Sequence, residues 1–155
     1  MLDYYTTLLN DGNEGVMVKT MNDPYVFDRS DAVRKLKPVL TVEGTIISVY
    51  AGRIGTSREE GIGGVEVLFE NGVITRIGSG SMTGEIMASI MLDPQSYIGK
   101  ILECCGQGDP TTVTGFSRDG KLRFPRWKRL RDIADVDQKI VELGRNYLIH
   151  NNEIV

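Results

Sequence analysis

Residues 64–77 read Gly-Val-Glu-Val-Leu-Phe-Glu-Asn-Gly-Val-Ile-Thr-Arg-Ile. Two runs rich in β-branched and apolar residues flank the pair Asn71-Gly72. Such a pair predicts a β-hairpin with a two-residue type I′ turn, whose positive φ angles glycine tolerates. Asp119-Gly120 gives the same signal farther along. Working outward, other strand-like runs lie at 41–50, 98–105 and 122–129. One helical stretch interrupts them, from Ser81 to Met91. Its Met82, Ile86, Met87, Ile90 and Met91 recur at helical spacing and are most simply core. Five strands with a helix between the third and fourth is the pattern of an OB-fold, a small barrel that binds nucleic acid. The expected fold is therefore mainly β, with the barrel over residues 41–131.

The flanks have a different texture. Asp3 to Leu9 predicts the end of a short helix, stopped by Asn10-Asp11-Gly12. Glu14 to Lys19 suits a strand, and Asn22-Asp23-Pro24 a turn. Val33 to Leu40 reads as a second strand, with Pro38 ending it or marking a crossing between units. Residues 132–155 predict one amphipathic helix, with Ile133, Val136, Ile140, Val141, Leu143 and Leu148 free to pack on the barrel. The glycine-rich stretch 51–64 lacks the Gly-Lys-Ser/Thr ending of a phosphate-binding loop, and no helix follows it. It reads as a hairpin loop.

Composition narrows the class. The 155 residues are 41% hydrophobic and 25% charged, which suits a soluble globular domain and excludes a disordered tail, a collagen-like fibre or a coiled coil. No apolar run is long enough to span a membrane, and no secretory signal pattern opens the chain. The two cysteines, Cys104 and Cys105, are adjacent and make no disulfide framework, so a reducing, cytoplasmic setting is expected. The lone histidine, His150, lies near the end and should be exposed, which leaves no support for a His/Cys metal site.

The net charge of -3 hides a strong asymmetry. Arg118, Lys121, Arg123, Arg126, Lys128, Arg129 and Arg131 face a single acid, Asp119, within one short segment. A local field of that kind matters to an approaching polyanion more than the sum does. Trp127, inside this run, is expected to anchor the core. Lys35 and Lys37 are two apart on a predicted strand, so both ammonium groups point to one side and suit a bound phosphate. Glu14 is a candidate ligand for a hard divalent cation that accompanies nucleotide phosphates. The plainer reading is lysines guarding an exposed strand edge.

Three segments carry a resemblance. Glu14-Gly15-Val16-Met17-Val18-Lys19 is similar to nucleotidyltransferase motif IV of ATP-dependent DNA ligases. Lys35-Leu36-Lys37-Pro38 resembles motif V, the Lys-x-Lys strand leading out of the adenylation domain. Residues 122–131, Leu-Arg-Phe-Pro-Arg-Trp-Lys-Arg-Leu-Arg, resemble motif VI at the end of the ligase OB-fold. The order is right and the intervening pattern is a barrel. The short loops resemble the small, phage-type members.

The resemblance implies residues 1–40 as the end of an adenylation domain, 41–131 as the OB-fold domain and 132–155 as a helical tail. It implies Glu14, Lys35 and Lys37 as catalytic groups, with Glu14 also the metal ligand. Lys19, Arg123, Arg126 and Arg131 would serve ATP, and Lys128 and Arg129 would contact DNA. ATP and Mg2+ are the implied cofactors, and nicked double-stranded DNA is the implied partner. Two departures stand out. The Lys-x-Asp-Gly motif that forms the ligase lysyl-adenylate is absent from these residues. The usual Arg-x-Asp-Lys close of motif VI is replaced by Arg131-Asp132-Ile133-Ala134. The chain is therefore expected to be the C-terminal part of a ligase, inactive alone: either one half of a split enzyme whose partner chain carries the N-terminal adenylation half, or a truncated remnant that keeps mostly the barrel. The alternative is a stand-alone OB-fold nucleic-acid-binding module without catalysis.

Overall fold

A computed structural model describes residues 2–55, 59–109, 112 and 114–151. Helix α1 (Leu2–Asn10) leads to strands β1 (Val16–Lys19) and β2 (Val33–Leu36), which pair antiparallel with Met17 opposite Lys35. The run predicted as one strand from 33 to 40 breaks at Lys37-Pro38. Proline donates no ladder hydrogen bond, and a new strand, β3 (Val39–Ala51), begins directly after it.

Strand β3 is the spine of the second sheet. It joins β4 (Ile62–Phe69), β5 (Ile74–Gly78), β6 (Ile101–Gln107) and β7 (Arg123–Arg131) in the order β5-β4-β3-β6-β7, every neighbouring pair antiparallel. At 13 residues β3 is long enough to pair with β6 along one half and β4 along the other. β5 lies alongside β7, so the sheet curls on itself. Helix α2 (Gly84–Leu92) falls between the third and fourth barrel strands. The expected mainly β, OB-type arrangement is present. Ile46, Val65, Val67, Phe69, Ile77, Ile90, Leu102, Cys104 and Trp127 fill its interior.

The turns differ in detail from the expectation. Phe69 donates its backbone N–H to the Val73 carbonyl, and the Gly72 N–H bonds the Phe69 carbonyl, which makes the connection a three-residue loop. Ser117, Gly120 and Lys121 repeat the arrangement. Gly72 has φ 76° and Gly120 φ 77°, whereas Asn71 and Asp119 are not at positive φ. Each is a type I turn followed by a left-handed glycine, so only the second residue of each dipeptide needs positive φ. Other boundaries shift too. Met82 is buried but precedes α2, and Met91, expected in the core, is exposed. The tail is not one helix. A 3₁₀ turn (Ile133–Asp135) precedes α3 (Gln138–His150), and Asp137 caps α3 by accepting the Lys139 N–H. Ile133 is exposed, and residues 152–155 of the expected helix lie outside the described residues.

Helix α3 docks on the outer face of β3. Ile140 and Leu148 are buried there, and the Thr45 hydroxyl donates to the Ile140 carbonyl at 3.2 Å. Gly144 permits the approach: a Cβ at this position would lie 2.1 Å from Thr45 Oγ1. Alanine at an exposed helix site would add up to about 1 kcal/mol of helix propensity. Here Gly144→Ala is instead expected to destabilise by about 1–3 kcal/mol through overpacking. Urea denaturation of the two proteins checks this, and a gain in stability would contradict the docking.

No buried residue occurs in α1, β1 or β2. Met17, Val33 and Leu36 are exposed on the small sheet, as are Met21, Tyr25 and Phe27 in its connection. An isolated two-stranded sheet is marginal in water.

Candidate functional site

Glu14, Lys37 and Arg123 come from three separate segments and meet at one place. Gly15 sets the approach: a Cβ there would lie 2.1 Å from the Leu36 carbonyl oxygen, so glycine lets the start of β1 press against the end of β2. Glu14 thereby faces Lys37, whose Nζ donates to Glu14 Oε2 at 2.9 Å and to Gln107 Oε1 at 2.9 Å. Gln107 and Arg123 are register partners on β6 and β7. Arg123 Nη2 reaches Glu14 Oε1 at 3.4 Å. The Lys37 hydrogen bond and charge, with help from Arg123, hold the Glu14 carboxyl below its ordinary pKa. Two cations around one carboxylate leave the cluster net positive, as a phosphate-binding place requires.

Other expected residues stand apart from it. Lys35 is on β2 opposite Met17, exposed and with no ion pair among the described residues. Lys37 lies just beyond the strand, so the two lysines do not form one clamp. Lys19 lines a separate cleft of about 590 Å³ with Asp23, Tyr25, Asp28 and Arg29. Arg126 is exposed and makes no ion pair among the described residues.

The far end of β7 forms a second cluster around a residue that sequence reasoning missed. Glu103, on β6, is buried at 5% exposure. Its carboxylate bonds Lys128 Nζ and Arg129 Nε, and Arg131 Nη1 lies at 3.4 Å. Arg131 also pairs with Glu43 at 3.3 Å and donates to the Asp135 carbonyl at 3.2 Å. Arg123 and Arg131 therefore serve different clusters. The Lys128 and Arg129 hydrogen bonds pull the Glu103 pKa down to about 2.

That depression has a pH consequence. An unfolded glutamate titrates near pH ~4.3. A group whose folded pKa is lower adds stability that is complete above the unfolded value and is lost as pH falls through the folded one. Wild-type urea midpoints are thus expected to fall between about pH 4.5 and 2. Glu103→Gln should flatten that part of the curve, and an unchanged curve would remove Glu103 as its source.

Glu14 is a single carboxylate, and no three His, Cys, Asp or Glu residues gather into a metal-binding group among the described residues. One carboxylate still suits Mg2+, which keeps several waters and takes its remaining ligands from substrate phosphates. Among the described residues no helix is long and apolar enough to cross a membrane. Of the aromatic residues near the basic strand, Trp127 is buried as expected, and its backbone N–H bonds Ser81 Oγ. Phe124 is exposed at φ 48°.

Comparison with known proteins gives the same direction. The chain is 30% identical over 173 aligned positions to a DNA ligase of Methanocorpusculum labreanum, covering 97% of this chain and 31% of that protein. It thus spans about a third of the length of the curated relative it matches. A Chlorella virus DNA ligase–adenylate structure matches 88% of this chain and 47% of its own, at 28% identity and TM-score 0.52. A Lig E DNA ligase structure shares the fold at TM-score 0.67 and 22% identity, over 84% of this chain and 45% of its own. No family model matches the sequence. Fold, order of segments and these likenesses together make the chain similar to DNA ligases over about a third to a half of their length.

Proposed function

We propose that this chain is the C-terminal part of an ATP-dependent DNA ligase that seals nicks in duplex DNA, with residues 1–40 completing an adenylation domain, 41–131 the OB-fold domain and 132–155 a tail. The supporting observation is the meeting of Glu14, Lys37 and Arg123 from the three ligase-like segments. Lys37, with Lys35 brought in when the site is complete, neutralises the ATP α-phosphate. Arg123 and Arg126 steer pyrophosphate, and Lys19 serves the nucleotide from its own cleft. Arg131 keeps its nitrogens on Glu43, Glu103 and Asp135. Glu14 would hold Mg2+, which supplies charge neutralisation at the phosphates. Lys128 and Arg129 contact the DNA.

The reaction is a series of phosphoryl transfers, in which protein groups position reactants and neutralise charge. A lysine nitrogen bonds the α-phosphorus while pyrophosphate leaves. The nick 5′-phosphate oxygen then takes the adenylyl group from that lysine. Finally the 3′-hydroxyl oxygen attacks the 5′-phosphorus and AMP leaves. The nucleophilic lysine belongs to the N-terminal adenylation half, which these residues do not include. Exposed Met17 and Val33, on one face of the small sheet, give that half an apolar surface to cover.

The test is nick sealing with ATP and Mg2+ at low salt, by the chain alone and after mixing with the N-terminal half of a related ligase. Sealing is expected only in the mixture. Sealing by the chain alone would overturn the missing-lysine argument. Nicked-DNA binding without sealing in either would favour a binding module. A module for single strands needs exposed stacking aromatics. Among the described barrel residues Phe69, Tyr97 and Trp127 are buried and Phe124 alone of the aromatics is exposed, which disfavours that reading.

A further inference from the structure

Resting on the reading that β7 faces duplex DNA, we infer that Glu103 is a positioning residue that holds Lys128 and Arg129 as a fixed phosphate-binding pair. The β6–β7 register shifts between Glu103 and Cys104, so that Trp127 opposes Cys104 and Arg129 opposes Glu103, with Lys128 as the extra residue. A bulge of this kind re-aims side chains. Trp127 turns into the barrel, while Lys128 and Arg129 both reach the same carboxylate.

The manner of contact matters. Arg129 engages Glu103 through Nε, which leaves its two terminal amino groups for a forked contact with phosphate. Lys128 gives Glu103 one of its three donors. Their side chains remain 46% and 61% exposed, whereas the Glu103 side chain is 6% exposed. Arg131 differs, being 24% exposed with its nitrogens spent on Glu43, Glu103 and the Asp135 carbonyl. Glu103 is thus a buried anchor beneath two exposed cations. Long flexible side chains lose rotamer freedom when they bind, and an anchor that orders them beforehand removes that cost from binding. The same carboxylate subtracts one charge from the surface, so positioning and simple electrostatics predict opposite results when it is neutralised.

The experiment measures the full chain binding to a nicked duplex with a 5′-phosphate across a salt series. Lys128→Ala/Arg129→Ala is expected to weaken binding about tenfold and reduce the log–log salt slope by about 2. No change would remove β7 from the DNA interface and overturn the proposal at its foundation. Given that loss, Glu103→Gln is expected to weaken binding about threefold or more despite the added positive charge, with a shallower salt slope. Glu43→Gln adds the same charge but touches only Arg131 of the basic run, and it is expected to leave binding equal or tighter. If Glu103→Gln behaves like Glu43→Gln, Glu103 is an electrostatic burden and the positioning role is wrong, while the DNA reading of β7 stands. Should Glu103→Gln fail to fold, Glu103→Asp keeps the charge but shortens the reach. Weakened binding by that variant supports the anchor, and unchanged binding overturns it.

Discussion

Trp127→Ala is expected to destabilise the barrel by about 3–5 kcal/mol, the range for deleting a large buried aromatic ring. The residue is 6% exposed and packs in the same core cluster as Phe69, Ile77, Leu102 and Leu122. It is the only deeply buried side chain of β7, the rest of the strand being exposed or partly buried. Its loss therefore removes the main apolar tie between the edge strand and the barrel interior. Trp127→Phe separates burial from hydrogen bonding. The indole Nε1 is buried without a hydrogen-bond partner among the described residues. Phenylalanine keeps much of the ring and removes that unsatisfied donor, a group that costs about 1–3 kcal/mol when buried unpaired. The expected order of urea midpoints is wild type close to Trp127→Phe, and both far above Trp127→Ala. If Trp127→Ala unfolds near the wild-type midpoint, Trp127 is not the tie between β7 and the core.

The Asn71-Gly72 hairpin was legible because that dipeptide sits between strand-like runs, and that local signal survives whichever turn class forms, whereas Asp119-Gly120 marks a turn inside the long β6–β7 connection and joins no strand pair. The turn class itself was not legible. The dipeptide names the glycine that takes positive φ, but loop length is set by how the flanking strands pair. Glu14, Lys37 and Arg123 were legible only as ligase-like segments. Their meeting depends on the break at Pro38, which frees Lys37 from the strand, and on the Gln107–Arg123 pairing. Glu103 gave no signal at all. In Ile101-Leu102-Glu103-Cys104-Cys105 it reads as the polar member of a strand, and its three cations lie more than twenty residues away. Strict alternation along β7 puts Trp127 and Arg129 on one face. The bulge at Lys128 undoes this, and a bulge is invisible in a two-residue period.

Lys37→Ala is expected to lower nick sealing by the reconstituted two-part enzyme at least about 100-fold, the scale for removing a preorganised charge that faces a transition-state oxyanion. The stability of the chain should barely move. Lys37 bonds Glu14, whose side chain is 57% exposed, and exposed ion pairs contribute little. A folding defect is therefore not the expected route to the loss. Of the basic residues around Glu14, Lys37 is the best placed for this role. It is held by both Glu14 and Gln107, so its Nζ is fixed from two sides before any phosphate arrives. Lys35, exposed and without an ion pair among the described residues, has no such support, and Lys35→Ala is expected to cost less. Single-turnover sealing separates the steps. If Lys37 acts only as ATP gives its adenylyl group to the lysine, the variant should be slow with ATP and nearly normal with a partner half already adenylated. Equal losses on both substrates would move Lys37 from adenylation to a later step, and no loss would remove the Glu14–Lys37–Arg123 cluster from the reaction.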